Sequence, residues 1–375
     1  MERYFGESTP NLGFGLMRLP KLENGEIDIE QVKVMVDMFL KAGLTYFDTA
    51  YVYDNGKSEE AARDALVKRH PRESFTLATK LNAWIGKPSR EEAEKQLEIS
   101  LRRTEAGYFD YYLLHAVQDN NYKIYEDYGL WDFVREAKKK GLIRHWGFSC
   151  HSSPDVLDEL LTQHPDAEFV QLQINYADMD DASARSREMY EVARKHGKSI
   201  VIMEPVKGGQ LASPVDDIKK VFAEVDPNAS CASWAIRYVA SMDGIITVLS
   251  GMSNIEQMAD NVSYMKDFKP LDEREQAAIE KAQAILKSID MIPCTACHYC
   301  TEGCPMQIRI PDIFACLNKH NTFNSWNQKF YYENVLTQEG HGKASDCIQC
   351  GQCEGICPQG LPIISLLQKA AETFE

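Results

Sequence analysis

The chain of 375 residues carries 41 Lys and Arg against 56 Asp and Glu, a formal charge of −15 at pH 7. That balance argues against nucleic acid and anionic membrane as partners, and no uncharged apolar run approaches the length of a membrane span, so a soluble protein is expected. The opening residues Met1 to Gly6 lack the charged-then-apolar layout of a signal peptide, and the length leaves room for two domains.

Apolar runs rich in β-formers fall at 13–19, 46–50, 75–80, 110–115, 143–150, 169–175, 199–205 and 246–251. Between them lie helical patterns at 29–42, 58–69, 90–103, 131–140, 153–161, 184–196, 230–241 and 254–265. Ser58, with a Glu in the first turn, and Ser153, before Pro154, read as helix caps. Eight β-then-α units with near-continuous apolar strands predict an α/β protein, a (β/α)8 TIM barrel with a parallel core. The alternative, a doubly wound open sheet, lacks a G-x-G-x-x-G phrase after any strand. A further helix at 272–288 is expected outside the barrel, which sets the domains at 1–288 and 289–375.

The second domain is defined by cysteines. Cys294, Cys297, Cys300 and Cys304-Pro305 repeat in form as Cys347, Cys350, Cys353 and Cys357-Pro358, both reading C-x2-C-x2-C-x3-C-P. Bacterial-type ferredoxins use this run to hold [4Fe–4S] clusters, three thiolates on one cluster and the fourth reaching to its partner. Structural zinc also takes four cysteines, but pairs C-x2-C with C-x2-C across a longer gap. Two [4Fe–4S] clusters are therefore expected, bound to all eight cysteines. Residues 305–346 between the runs contain helical stretches at 310–318 and 326–336, so the tail reads as a small, mainly α-helical ferredoxin-like domain. Ile292-Pro293, Ile308 and Leu361-Pro362-Ile363 would supply its apolar shell. Of the other three cysteines, Cys150, Cys231 and Cys316, the last two read as buried core. An odd total of 11, with thiolate clusters, predicts a reducing cytoplasm rather than a disulfide framework.

In a barrel of this kind the chemistry sits at the carboxyl ends of the strands. Asp48 closes strand two, Tyr53 follows in its loop, Lys80 closes strand three and His115 closes strand four. Singly, each has an ordinary explanation as a rim or core residue; together they are of complementary type. The Phe-Asp-Thr-Ala-x-x-Tyr phrase, the strand-end Lys and the strand-end His resemble the catalytic tetrad of the aldo-keto reductases. So do Gly141-Leu142-Ile143-Arg144 before Gly147-Phe148-Ser149, and Glu256-Gln257 leading to Asn261. The likeness covers 1–265, and with its tail the chain resembles the subgroup that carries a C-terminal ferredoxin-like domain with two [4Fe–4S] clusters.

The tetrad has a physical logic of its own. Reducing a carbonyl needs a hydride on carbon and a proton on oxygen. Tyr53 can give that proton, but a free phenol has a pKa near ~10. A Lys80 ammonium beside it would lower that value towards working pH, Asp48 would hold the lysine charged, and His115 would orient the substrate oxygen. Run backwards, the same tyrosine is the base for alcohol oxidation. Tyr51, Trp84 and Tyr176 read as pocket walls or, equally, as ordinary rim packing.

The resemblance implies a nicotinamide cofactor across the barrel mouth. Ser149 and Gln171 match the carboxamide contacts, although Cys150-His151 stand where an asparagine usually follows the serine. Met203 takes the place of a tyrosine that stacks on the nicotinamide ring, and Val206, Gly251, Gln257 and Asn261 would line the nucleotide. Between Val248 and Met265 there is no Lys or Arg, and Gln257 sits where an arginine would meet a 2′-phosphate. NAD(H) is therefore favoured over NADP(H), unless Lys207 or a loop residue covers the phosphate or the nucleotide binds weakly.

Nicotinamide passes two electrons as hydride, whereas a cluster passes one. Three accounts stay open. The chain is a nicotinamide-dependent carbonyl reductase whose clusters are structural or sensory. Alternatively, the clusters bring electrons from a ferredoxin or other carrier to a flavin or an unusual substrate in the barrel. In the third account the barrel is idle and the chain is an electron-transfer or regulatory subunit, against which the intact tetrad counts. The substrate, beyond a small carbonyl or alcohol, is not legible.

Overall fold

The computed structural model describes residues 3–4, 7–8, 11–181, 184–289, 291–294, 296–323, 326–338 and 340–375. The expectation drawn from the first six residues rests on Met1, Glu2, Phe5 and Gly6, which lie outside the described residues. Two compact units are present, one of Met1–Gly208 with Ala232–Ile279 and the other of Gly209–Cys231 with Glu280–Glu375.

The first unit is a closed barrel. Its strands are β1 (Leu12–Gly15), β2 (Tyr46–Asp48), β3 (Thr76–Leu81), β4 (Phe109–Val117), β5 (Ile143–Cys150), β6 (Phe169–Gln173), β7 (Ser199–Met203) and β8 (Ile245–Ser250). Each pairs in parallel with its sequence neighbour, and β8 closes onto β1. Strands buried on both faces explain why they read as continuous apolar runs. Their inward side chains fill the lumen with Tyr46, Tyr111, Leu113, Phe169, Val201 and Ile246. Such bulk needs small partners across the barrel. A Cβ at Gly147 would lie 2.2 Å from the Phe169 carbonyl oxygen, and one at Gly13 would lie 2.8 Å from Leu249 Cδ2.

The helices of this unit are α1 (Ile29–Lys41), α2 (Lys57–Ala62), α3 (Arg90–Thr104), α4 (Tyr122–Asp127), α5 (Leu130–Lys139), α6 (Pro154–Gln163) and α7 (Ser186–Lys195). The next helix, α8 (Asp216–Val225), belongs to the second unit, and α9 (Cys231–Ala240), α10 (Ile255–Met265) and α11 (Glu273–Ser288) complete the run. Ser153 caps α6 as expected, its hydroxyl accepting from Val156 N with Pro154 in the first turn. Ser58 does not cap. Gly56, at φ +90°, precedes α2, and the Ser58 hydroxyl turns inward to donate to the Leu16 carbonyl at 2.9 Å. The sequence also gave no sign of α4 or α8, short helices lying in what read as connections. Strand one is shorter than expected because Leu16–Arg18 turn into a 3-10 helix. Cys316 is buried core, but Cys231, at the first position of α9, is only partly buried.

The second unit is helical. It contains α12 (Tyr299–Glu302), α13 (Ile310–Phe323), α14 (Trp326–Tyr331), α15 (Gln352–Ile356) and α16 (Ile363–Phe374), and a π-helical turn, Tyr332–Leu336, continues α14. Ile308, Phe314, Leu317, Tyr332, Leu367 and Phe374 form its own apolar core. Among the described residues, no helix is long and apolar enough to cross a membrane.

Candidate active site and cluster cavities

At the carboxyl ends of β2, β3 and β4, four polar side chains meet. Lys80 is completely buried; its Nζ donates to Asp48 Oδ1 and, at 2.8 Å, to the Thr49 carbonyl. The same Nζ lies 5.0 Å from the centroid of the Tyr53 ring. Tyr53 in turn meets His115 edge to face, with ring centroids 5.5 Å apart. Asp48, Tyr53, Lys80 and His115 thus form one connected group.

Burial opposes the charge on Lys80, but Asp48 and Tyr53 outweigh it and hold the amine above its usual range. Burial also pushes the Tyr53 phenol up, with the Lys80 ammonium pulling against it. The lysine therefore limits a rise, rather than bringing the phenol down towards neutral pH as the residue types alone suggested. Burial, helped by the Lys80 charge and by His151, holds His115 well below the ordinary imidazole range, so its ring is neutral. His115 Nδ1 is buried without a hydrogen-bond partner.

Local backbone aims these groups. The β4–β5 register slips between Leu114 and Val117, and Ala116 takes φ +53° beside His115. Such a bulge re-aims a strand-end side chain. It is braced on both sides: Ala116 N donates to Ser149 Oγ at 2.6 Å, and the Ala116 carbonyl accepts from Asn121 Nδ2 at 3.0 Å. Tyr53 opens a turn in which Asp54 (φ +48°), Asn55 (φ +55°) and Gly56 (φ +90°) are all left-handed.

The other expected contacts are distributed around the same mouth. Ser149 is buried and already accepts from Ala116 N, which leaves its own proton to donate. Gln171 Nε2 lies 3.4 Å from Met203 Sδ, while Gln171 Oε1 is buried with no partner. That orphaned acceptor suits an amide donor such as a nicotinamide carboxamide. Val206 packs against the barrel core. Beyond β8, Gln257 Oε1 accepts from Ser253 N and Asn254 Oδ1 accepts from Gln257 N, both at 2.8 Å, so Gln257 closes the cap of α10. Asn261 is engaged at both ends, donating to Ser250 Oγ and accepting from the Tyr264 hydroxyl, each at 2.6 Å.

Four other side chains singled out in the sequence are placed as follows. Lys207 is bound in an ion pair with the buried Asp178. Tyr176 is buried core rather than pocket wall, and Tyr51 lies beneath the Arg103 guanidinium, 4.4 Å from its ring centroid; Trp84 is partly buried against the core. Sequence reasoning missed Arg18. Its stem would touch a Cβ at Gly251 at 3.8 Å, and its guanidinium pairs with Glu204 at 3.3 Å. The signal for it in the sequence is an arginine in the turn that follows the first strand.

In the second unit the eight motif cysteines line two cavities. One is lined by Cys294, Cys297, Cys300 and Cys357; the other by Cys304, Cys347, Cys350 and Cys353. The fourth cysteine of each run therefore crosses to the cavity of the other. Backbone conformation repeats with the sequence: Ala296 (φ +52°) and His298 (φ +62°) in the first run match Gln349 (φ +56°) and Gly351 (φ +77°) in the second. Alternation of this kind turns successive N–H groups inward as an anion-binding concavity. Ile308, Leu361 and Ile363 contribute to the walls, as expected, and Ile310 lines both cavities. Four thiols set around an apolar cavity fit a cubane.

Barrel and cavities together define an oxidoreductase that carries an iron–sulfur domain. Residues 11–284 match the aldo/keto reductase family, and residues 293–362 match the 4Fe-4S dicluster domain. The chain belongs to the aldo/keto reductase family. It is 26% identical over 291 residues to the uncharacterized oxidoreductase YqkF of Bacillus subtilis, covering 66% of this chain and 90% of that one. It is similar to the holo form of aldo-keto reductase AKR11C1 from Bacillus halodurans (26% identity, TM-score 0.57, 74% of this chain and 93% of that chain). An aldo-keto reductase from Klebsiella pneumoniae in complex with NADPH shares the fold, with TM-score 0.60 at 20% identity over 73% of this chain and 91% of that one.

Proposed function

We propose that this protein reduces a small carbonyl compound, or oxidises the alcohol, with a nicotinamide cofactor, and that Tyr53 is its general acid and base. The reading rests on the buried Lys80 held between Asp48 and Tyr53. The cofactor, when bound, supplies or accepts the hydride. The chain's own residues then manage the proton. Tyr53 gives it to the carbonyl oxygen, and the adjacent Lys80 ammonium favours the phenolate that remains. Neutral His115 orients that oxygen by a hydrogen bond. Ser149 and Gln171 hold the carboxamide, Met203 lies against the ring, and Val206, Gly251, Gln257 and Asn261 line the rest. NAD(H) is assigned over NADP(H) because the segment after β8 has no cation for a 2′-phosphate.

The test is consumption of NADH with a panel of aldehydes and ketones. Wild type should turn over and Tyr53→Phe should lose at least ~100-fold in kcat with nucleotide affinity kept. Near-wild-type reduction by Tyr53→Phe would refute the assignment.

The two cavities are assigned as [4Fe–4S] sites in a domain of 289–375, and a reducing cytoplasm suits their eight thiolates. One observation favours a second reading, in which a ferredoxin or similar carrier feeds electrons to a flavin or substrate in the barrel. Cys297 and Cys350, one ligand of each cavity, are exposed, and Ile310 lines both cavities, which gives electrons an entry and a crossing. Colour and bound cofactor of anaerobically purified protein separate the two readings.

A further inference from the structure

Three successive left-handed residues follow Tyr53, and two of them, Asp54 and Asn55, carry a Cβ that has some cost there even in types that tolerate this backbone. Such a turn persists only where its surroundings over-determine it. Besides the exposed Lys21–Asp54 pair, it is bordered by an ion pair outside the tetrad in which Glu59 is fully buried and Arg103 partly so. Glu59, in α2, is completely buried; its Oε2 accepts from Arg103 Nη1 of α3 at 3.0 Å and its Oε1 accepts from Thr79 Oγ1 at 2.8 Å. Thr79 is the residue before Lys80. The same Arg103 Nη1 donates to the Tyr51 carbonyl at 3.0 Å, and the guanidinium covers the Tyr51 ring. Arg103 also occupies the space beside Gly56, where a Cβ would lie 2.5 Å from its Cζ. Arg103 therefore touches both ends of the Tyr51–Gly56 turn, and Glu59 fastens it to the strand that carries Lys80.

We infer that Glu59 and Arg103 are positioning residues, a clamp that sets the Tyr53 hydroxyl against Lys80. The clamp acts through the turn and touches no substrate. Its catalytic consequence rests on the assignment of Tyr53 as proton donor, whereas its structural action does not. A phenol that must sit within hydrogen-bond reach of both the ammonium and a substrate oxygen is sensitive to small displacements of its loop. An unclamped turn would relax towards right-handed backbone and carry Tyr53 out of register.

The experiment uses the full chain, anaerobically purified, with Glu59→Gln, Arg103→Lys and the double variant Glu59→Gln/Arg103→Met. Amide hydrogen exchange across 51–58 is measured together with kcat and KM for carbonyl reduction and the pH profile of kcat. Glu59→Gln should raise exchange in 51–58 at least tenfold with the rest of the barrel protected as before. It should lower kcat at least tenfold at unchanged nucleotide affinity and shift the basic limb of the profile. The double variant carries neither charge, so a role confined to buried-charge balance would let it recover, whereas a clamp predicts that it stays slow. If Glu59→Gln does not fold, Arg103→Lys, which keeps the charge and loses the forked contact, carries the same expectations. Unchanged exchange in 51–58 overturns the clamp, and faster exchange with kcat intact overturns its positioning role. If the wild type reduces no carbonyl, the function proposed above fails, and exchange alone still decides whether the pair holds the turn.

Discussion

Lys80 reaches one oxygen of Asp48 and leaves the other, Oδ2, buried without a hydrogen-bond partner. The carboxylate is thus committed to a single cation in a site with no exposure of the lysine at all. Lys80→Met should destabilise the barrel by about 3–5 kcal/mol, because a buried charge loses its partner, and should abolish carbonyl reduction. Asp48→Asn should do the same from the other side. The double variant Asp48→Asn/Lys80→Met should recover most of the stability and none of the activity, a coupling that thermal melts and kinetics read independently. Additive losses of stability would show that the two groups do not form the pair.

The barrel was legible because burial on both faces writes each strand as an apolar run, and all eight runs correspond to strands of the closed sheet. Asp48, Lys80 and His115 stood out as polar ends of such runs. What eluded the sequence is three-dimensional. The left-handed turn after Tyr53 has a glycine only at Gly56; Asp54, which pairs with the distant Lys21, and Asn55 are residue types that tolerate such backbone without announcing it. Ser58 looked like a cap because its hydroxyl type is right, but a longer-range acceptor, the Leu16 carbonyl, took it instead. Arg18 lies 233 positions from Gly251 in sequence and meets it only because β8 closes onto β1.

His115 makes stability depend on acid. Its folded pKa lies well below the ordinary value, because burial, Lys80 and His151 disfavour the charged ring. The unfolded chain binds the proton near pH ~6.5 and the folded one does not. Stability from this group is therefore complete above that pH and is lost as the pH falls below it, towards the folded value. His115→Phe should lose less melting temperature than wild type between pH 7.5 and 5.5 (~ values set by the histidine range). Equal acid sensitivity of the two proteins would show that His115 is not held neutral.

Nucleotide choice can be tested at Arg18. With Lys207 engaged by Asp178, no Lys or Arg between Val248 and Met265 and Arg18 paired to Glu204, NADH should bind at least as tightly as NADPH in a fluorescence titration. Exposed pairs of this kind contribute little, ~0–1 kcal/mol, so Arg18 can be released. Glu204→Gln should then tighten NADPH more than NADH. A strong wild-type preference for NADPH that Arg18→Ala removes would identify Arg18 as the phosphate's partner and overturn the assignment of NAD(H).

The crossing of Cys304 and Cys357 between cavities makes a prediction that a local arrangement would not. Each cavity draws three cysteines from one run and one from the other. Iron and sulfide should approach ~8 of each per chain in anaerobic protein. In Cys357→Ser the weakened cluster should be the one held by Cys294, Cys297 and Cys300, although the substituted residue lies in the second run. Alkylation under native conditions, followed by mass spectrometry, should label those three and spare Cys347, Cys350 and Cys353. Cys304→Ser should give the reverse pattern. The exposed Cys297 and Cys350 are the sensitive reporters, since a thiolate freed from iron is reactive only where reagent can reach it. Labelling of the run that bears the substitution would mean that each run closes on its own cluster, and zinc in place of iron would remove the electron-carrying role altogether.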